Sequence, residues 1–100
     1  MMQLIEQEPH FWELYQQDQQ YFLGIAVDMS SVVTCWDLVL NATEIQAYQD
    51  QGRRSIENIA KNITAAAYKG DFSDLESRQA SVTDKQTMQA TYRAWRQSQH

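Results

Sequence analysis

Between Tyr21 and Tyr68 the spacing of apolar residues changes period, and this change restricts the possible folds more than any other feature of the chain. From Tyr21 to Asp28 the residues alternate, with Tyr21, Leu23, Ile25 and Val27 on one face of a strand and Phe22, Gly24 and Ala26 on the other. The first face is expected to point into the core. After a turn at Met29-Ser30-Ser31, the run from Val32 to Leu40 places Thr34, Trp36, Leu38 and Leu40 on one side and Val33, Cys35, Asp37 and Val39 on the opposite side. Ile45, Tyr48, Gly52, Ile56, Ile59, Ala60, Ile63 and Ala67 then recur at intervals of three and four, the stripe of an amphipathic helix. That stripe needs an apolar surface to cover, and the strand pair before it supplies one.

The flanking segments extend this unit. Phe11-Trp12-Glu13-Leu14-Tyr15 is aromatic-rich and compatible with a further strand, and Gln17-Asp18-Gln19-Gln20 suits a hairpin loop. Residues 1–9 read as an N-terminal arm, a short strand or a frayed segment ending at Pro9. Asn41 followed by Glu44 has capping-box spacing, so a helix is expected over residues 41–69, stopping at Lys69-Gly70. Gly52 either allows close packing against a strand aromatic such as Trp36 or divides this segment into two helices. Residues 70–82 read as a connector anchored by Phe72 and Leu75, with one helical turn capped by Ser73. Thr83-Asp84-Lys85-Gln86 repeats the capping-box spacing behind Val82, a candidate staple, and opens a C-terminal helix over 83–97 with Met88, Thr91, Tyr92 and Trp95 on its apolar face. The expected fold is a single α+β domain: a small antiparallel sheet of about three strands, a meander over residues 10–40, packed by the long helix and the C-terminal helix. Both faces of the strands between Tyr21 and Leu40 are substantially apolar, so the second face is expected to be covered by another element or by a partner chain, unless β-propensity alone accounts for it.

One hundred residues with 43% hydrophobic content suffice for one core and not for two. No apolar run approaches the roughly twenty residues of a membrane span, and the first residues show neither a basic nor an apolar leader segment. A lone cysteine, Cys35, cannot form an internal disulfide. These features lead to the expectation of a cytoplasmic protein with no membrane association.

Several chemistries lack their residues. Gly24, Gly52 and Gly70 are too far apart for a phosphate-binding loop, and Cys35, His10 and His100 are too few for structural zinc. Asp71, Ser73, Asp74 and Glu76 lack the spacing of a calcium loop, so neither metal nor cofactor is expected. Cys35 would serve as a nucleophile only if folding brought a base such as His10 beside it, and it reads as a small buried hydrophobe. Asp37 interrupts an apolar strand and reads as a solvent-facing acid. Arg53, Arg54, Lys61, Arg93 and Arg96 are scattered helix charges in a chain of pI about 4.8, so nucleic-acid binding is not expected.

Charge is divided sharply along the chain. Residues 1–50 hold Glu6, Glu8, Glu13, Asp18, Asp28, Asp37, Glu44 and Asp50 and no Lys or Arg, whereas all eight basic residues lie between Arg53 and Arg96. Either acidic strands and basic helices neutralise one another within the fold, or the strands present an acidic surface to a basic partner.

The run Leu40-Asn41-x-x-Glu44-x-x-x-Tyr48-x-x-x-Gly52-x-x-x-Ile56-x-x-Ile59-Ala60-x-x-Ile63, following an alternating strand pair, resembles small bacterial α+β proteins, some of them similar to immunity proteins of toxin–immunity systems, including contact-dependent growth inhibition. The resemblance covers residues 21–68, carries no catalytic residues over, and implies function by tight binding. The expectation is therefore a non-enzymatic protein-binding domain, an immunity-type protein neutralising a basic toxin such as a nuclease. Its partner-binding residues would be Glu13, Asp18, Asp28 and Asp37, with Trp12 and Tyr15 as aromatic anchors. The alternatives are a homodimer formed through the second sheet face, with a structural or regulatory role, and a small-molecule-binding domain near Cys35.

Overall fold

The computed structural model describes residues 1–29 and 32–99. Its element order is β1 (Gln3–Glu8), β2 (Trp12–Gln17), β3 (Gln20–Met29), β4 (Val32–Val39), α1 (Ala42–Gln51), α2 (Arg53–Tyr68), α3 (Ser73–Ser77) and α4 (Val82–Gln97). The strands form one antiparallel sheet in the order β1-β2-β3-β4. The α+β meander is as expected, with one strand more than its three. The segment from Gln3 to Glu8 is a strand, not an arm, pairing Gln3 with Gln16 and Glu8 with Trp12 across a register shift between Leu4 and Glu6. That irregularity explains why the strand lacks a legible alternation: one extra residue reverses which side chains face the core. The expected Ser30-Ser31 turn lies outside the described residues.

The helical segment breaks at Gly52. Its φ of 68° and ψ of −145° end α1 and start α2 together, and a Cβ there would meet nothing within 4 Å. Backbone conformation, and not close packing against Trp36, therefore places glycine at this position. Asn41 caps α1 as expected: its side chain accepts from the Glu44 amide at 2.8 Å and the Glu44 carboxylate accepts from the Asn41 amide at 3.0 Å. The last helix starts at Val82, one residue before the expected Thr83, because Ser81 is the cap and accepts from the Asp84 amide at 3.1 Å. Val82 is 71% exposed and staples nothing.

The sheet is covered on both faces. On one side Trp12, Leu14, Tyr21, Leu23, Ile25, Val27, Leu38 and Leu40 pack against Ile56, Ala60, Ile63 and Ala67 of α2 and Leu75 of α3. The expected stripe is therefore the stripe used, although the α1 part of it, Ile45 and Tyr48, lies only at the margin. On the other side Met2, Tyr15 and Phe22 meet Ala80 and Met88, with Leu4, Val39 and Tyr92 around them. The second apolar face is thus covered by α4. That cover is partial, since Cys35 of β4 remains exposed.

Candidate binding site

The site lies on the α4 side of the sheet, where three adjacent strands put Glu13, Gly24 and Asp37 in one transverse row. Side chains directly across neighbouring strands share a face, so both acids project beside a residue with no side chain. A Cβ at Gly24 would lie 3.2 Å from Glu13 Oε1, 3.4 Å from Asp37 Oδ1 and 3.8 Å from Tyr15 Cε1. The two carboxylates thus converge over the glycine and fill the space a side chain would take. Glycine inside a strand costs β-stability, and here it makes room for that convergence.

The pairing is electrostatically unfavourable. Burial, and secondarily the neighbouring Asp37 charge, raises the Glu13 carboxyl from its ordinary 4.5 to about 7. Burial also raises Asp37, while Lys85 on α4 acts in the opposite direction. Tyr15 is raised too, by burial first and then by the Glu13 and Asp37 charges. The half-buried pair accordingly holds a proton close to neutrality.

Around the acids, Tyr15 and Cys35 from the sheet and Met88, Gln89, Tyr92 and Arg93 from α4 enclose a recess of about 350 Å³. Its floor continues toward His10, whose φ of 66° turns the chain between β1 and β2. His10 and Cys35, considered above as a base and a nucleophile, both line this extension. Lys85 donates to Gln79 Oε1 at 2.8 Å and forms no ion pair with Asp37.

Of the residues expected to bind a partner, the structure gathers Glu13, Tyr15 and Asp37. Trp12 stands apart: it is 1% exposed on the opposite face, with the Arg53 guanidinium 4.7 Å from its ring, and so cannot act as a surface anchor. Tyr15 is 3% exposed and offers a partner at most its rim. Asp18 occupies the exposed β2–β3 turn with φ 56°, and Asp28 lies exposed near the far end of β3. At roughly 3.3 Å per strand residue these two are on the order of 25–30 Å apart, with the carboxylate pair between them. Gly24, Met88, Gln89, Tyr92 and Arg93 were missed from sequence. A glycine in the middle of an otherwise bulky strand was the available signal for Gly24, whereas the α4 residues depend on how that helix docks.

Part of the charge asymmetry is neutralised within the fold. Arg53 meets Glu8 at 2.8 Å, Glu57 at 3.5 Å and Glu6 at 3.7 Å, and Arg78 pairs with Glu44 and, at 3.0 Å, with Asp74. Among the described residues Glu13, Asp18, Asp28 and Asp37 take part in no such ion pair. Nor do the described residues contain a cluster of three or more side chains suited to holding a metal ion, or a helix long and apolar enough to cross a membrane. Comparison with protein-family models, curated proteins and solved structures returns no significant match. The arrangement itself can do two things: share a proton between two carboxylates, or hold one cation between them.

Proposed function

We propose that the chain is a non-enzymatic binding protein that captures a cationic partner protein on the α4 side of its sheet, in the manner of an immunity protein neutralising a basic toxin such as a nuclease. The observation carrying this reading is the convergence of Glu13 and Asp37 over Gly24 with no ion-paired cation. Two desolvated like charges are costly alone, and a guanidinium or ammonium group from a partner relieves that cost. Asp18 and Asp28 act at longer range, raising the encounter rate with a basic surface.

The first test is titration of a synthetic Arg-rich peptide against the wild type, E13Q/D37N and D18N/D28N at low and high salt. Loss of the central pair should weaken binding about tenfold or more, while loss of the outer pair should mainly flatten the salt dependence. Equal affinity of wild type and E13Q/D37N would remove the site assignment. Binding should strengthen as pH rises through about 7, because Glu13 must lose its proton to hold the cation. The immunity reading has its own test: co-expression with the product of a toxin-like neighbouring reading frame should rescue growth, and E13K/D37K should abolish the rescue. A neighbourhood encoding no basic toxin-like protein removes that reading and leaves the binding site standing.

A further inference from the structure

In an antiparallel sheet, alternate residues of an edge strand turn their N–H and C=O groups outward. On β4 the direction is set by Leu40, whose amide donates to Tyr21 O at 2.9 Å, so Val32, Thr34, Trp36 and Leu38 bond to β3 while Val33, Cys35, Asp37 and Val39 face outward. The chain closes half of this edge itself. Val39 N donates to Arg78 O at 2.9 Å and Ala80 N donates to Asp37 O at 2.8 Å, making an antiparallel bridge between Leu38 and Gln79. At Ser81 the chain leaves the edge to cap α4. The outward amides and carbonyls of Val33 and Cys35, and the Asp37 amide, have no backbone partner among the described residues. Their side chains are also open: Val32 and Val33 are 56% and 59% exposed, and Cys35 is exposed.

We propose that this open half-edge is a docking site for an extended cationic segment of the partner, which adds to the sheet as a fifth strand antiparallel to β4 along Val33 and Cys35, stopping short of Asp37, whose edge position Ala80 already faces. The inference rests on the cation-binding reading of Glu13 and Asp37 and names the form in which the cation arrives. The segment takes the line that residues 78–80 would follow if they continued past Ser81. Its residue opposite Cys35 projects on the α4 side, where Asp37 is its diagonal neighbour at roughly 7–8 Å, within reach of an Arg or Lys side chain. Alternate residues of the segment then carry positive charge toward Asp28 and Asp37, and those between them meet Thr34 and Trp36 on the opposite face. Backbone bonds supply affinity and the acids supply selection. A second copy of this chain fits less well, because it would bring an acid-biased edge against its own like charges.

The probes are an acetylated, amidated heptapeptide alternating Arg and Val, and the same peptide N-methylated on the backbone amides that face the edge. Amide exchange of the full chain is followed by NMR. At saturating peptide, exchange at Val33 and Cys35 should slow at least tenfold while Thr34 and Trp36, already bonded to β3, stay as they are, and N-methylation should weaken binding at least tenfold. Peptide binding without slowing at those two amides, or equal affinity of the N-methylated peptide, overturns strand addition and leaves the cation reading intact. Slowing that is as strong in E13Q/D37N as in the wild type overturns the cation reading instead. Protection of the same amides in the free protein at raised concentration, with dimers in sedimentation, overturns the proposed occupant in favour of a second copy.

Discussion

Glu13 shows how register creates chemistry from ordinary residues. The sequence marks it only as one acid among several for a partner, and its proton affinity comes from lying beside Gly24 with Asp37 on the next strand. Because its carboxyl is raised in the fold to about 7 from 4.5, the folded state binds the proton more tightly than the unfolded chain. The resulting stabilisation is complete below about pH 4.5 and is lost as pH rises through about 7. The full conversion of 1.36 kcal/mol per pKa unit overstates the effect for a partly solvated group, so roughly 1–2 kcal/mol is expected. Urea titrations of the wild type at pH 5 and pH 8 should show this decline, and E13Q should flatten it and be the more stable protein at pH 8. A wild-type stability that rises across that interval while E13Q stays flat contradicts the assigned environment of Glu13.

At the scale of elements, the break at Gly52 separates helices of different standing. α2 buries Ile56, Ala60, Ile63 and Ala67 in the core, whereas α1 buries no residue fully and is held by its cap and its margins. Tyr48 donates to Glu6 Oε2 at 2.9 Å, with burial and this bond pushing its hydroxyl up to about 12. Gly52→Ala would force an L side chain into a φ of 68° at ψ −145° and should cost about 1–2 kcal/mol, lowering the melting midpoint by roughly 5–10 °C. Calorimetry checks this, and an unchanged midpoint would mean the helix boundary can relax. Arg78 is the other joint: it reaches Glu44 on α1, Asp74 on α3 and the Val39 carbonyl at 3.2 Å with 15% of its side chain exposed. R78A should cost about 2 kcal/mol, and R78K should recover less than half of that, because an ammonium cannot reproduce the three-way fork.

The same elements show what the sequence made legible. The two-period pattern from Tyr21 to Tyr68 carried the strand pair, the capped helix and its buried stripe, because burial follows periodicity wherever an element has one wet face. β1 stood only as one reading beside a frayed arm because a register shift scrambles its alternation, and the Ser81 cap escaped because Thr83 has the same spacing signal two residues later. Of the site, Glu13 and Asp37 were legible as acids in apolar strands, but their meeting over Gly24 is a property of strand register. Trp12 looked like an anchor because aromatic content does not report the face, and a buried strand residue looks the same as an exposed one in sequence.

Taken whole, the molecule is a sheet between unequal layers, with α2 and α3 closing one face over a broad core and α4 closing the other through Met88 and Tyr92. The order in which these layers become available follows from the meander. Each strand pairs with its immediate neighbour in the chain, so the sheet assembles through short loops and low contact order, and the α2 layer follows directly after it. Chain synthesis therefore completes the sheet by Val39 and its first cover by Tyr68, while Tyr15 and Phe22 wait for the last helix. A chain ending after Ala80 should keep strand and helix signals in circular dichroism, bind a hydrophobic dye on the bare side and self-associate; tight monomeric behaviour of that truncation would show that α4 is dispensable as a cover. During biosynthesis the acidic row over Gly24 is thus the part of the protein that matures last, and a ribosome carrying an incomplete chain exposes a greasy sheet where the finished protein offers a charged cleft.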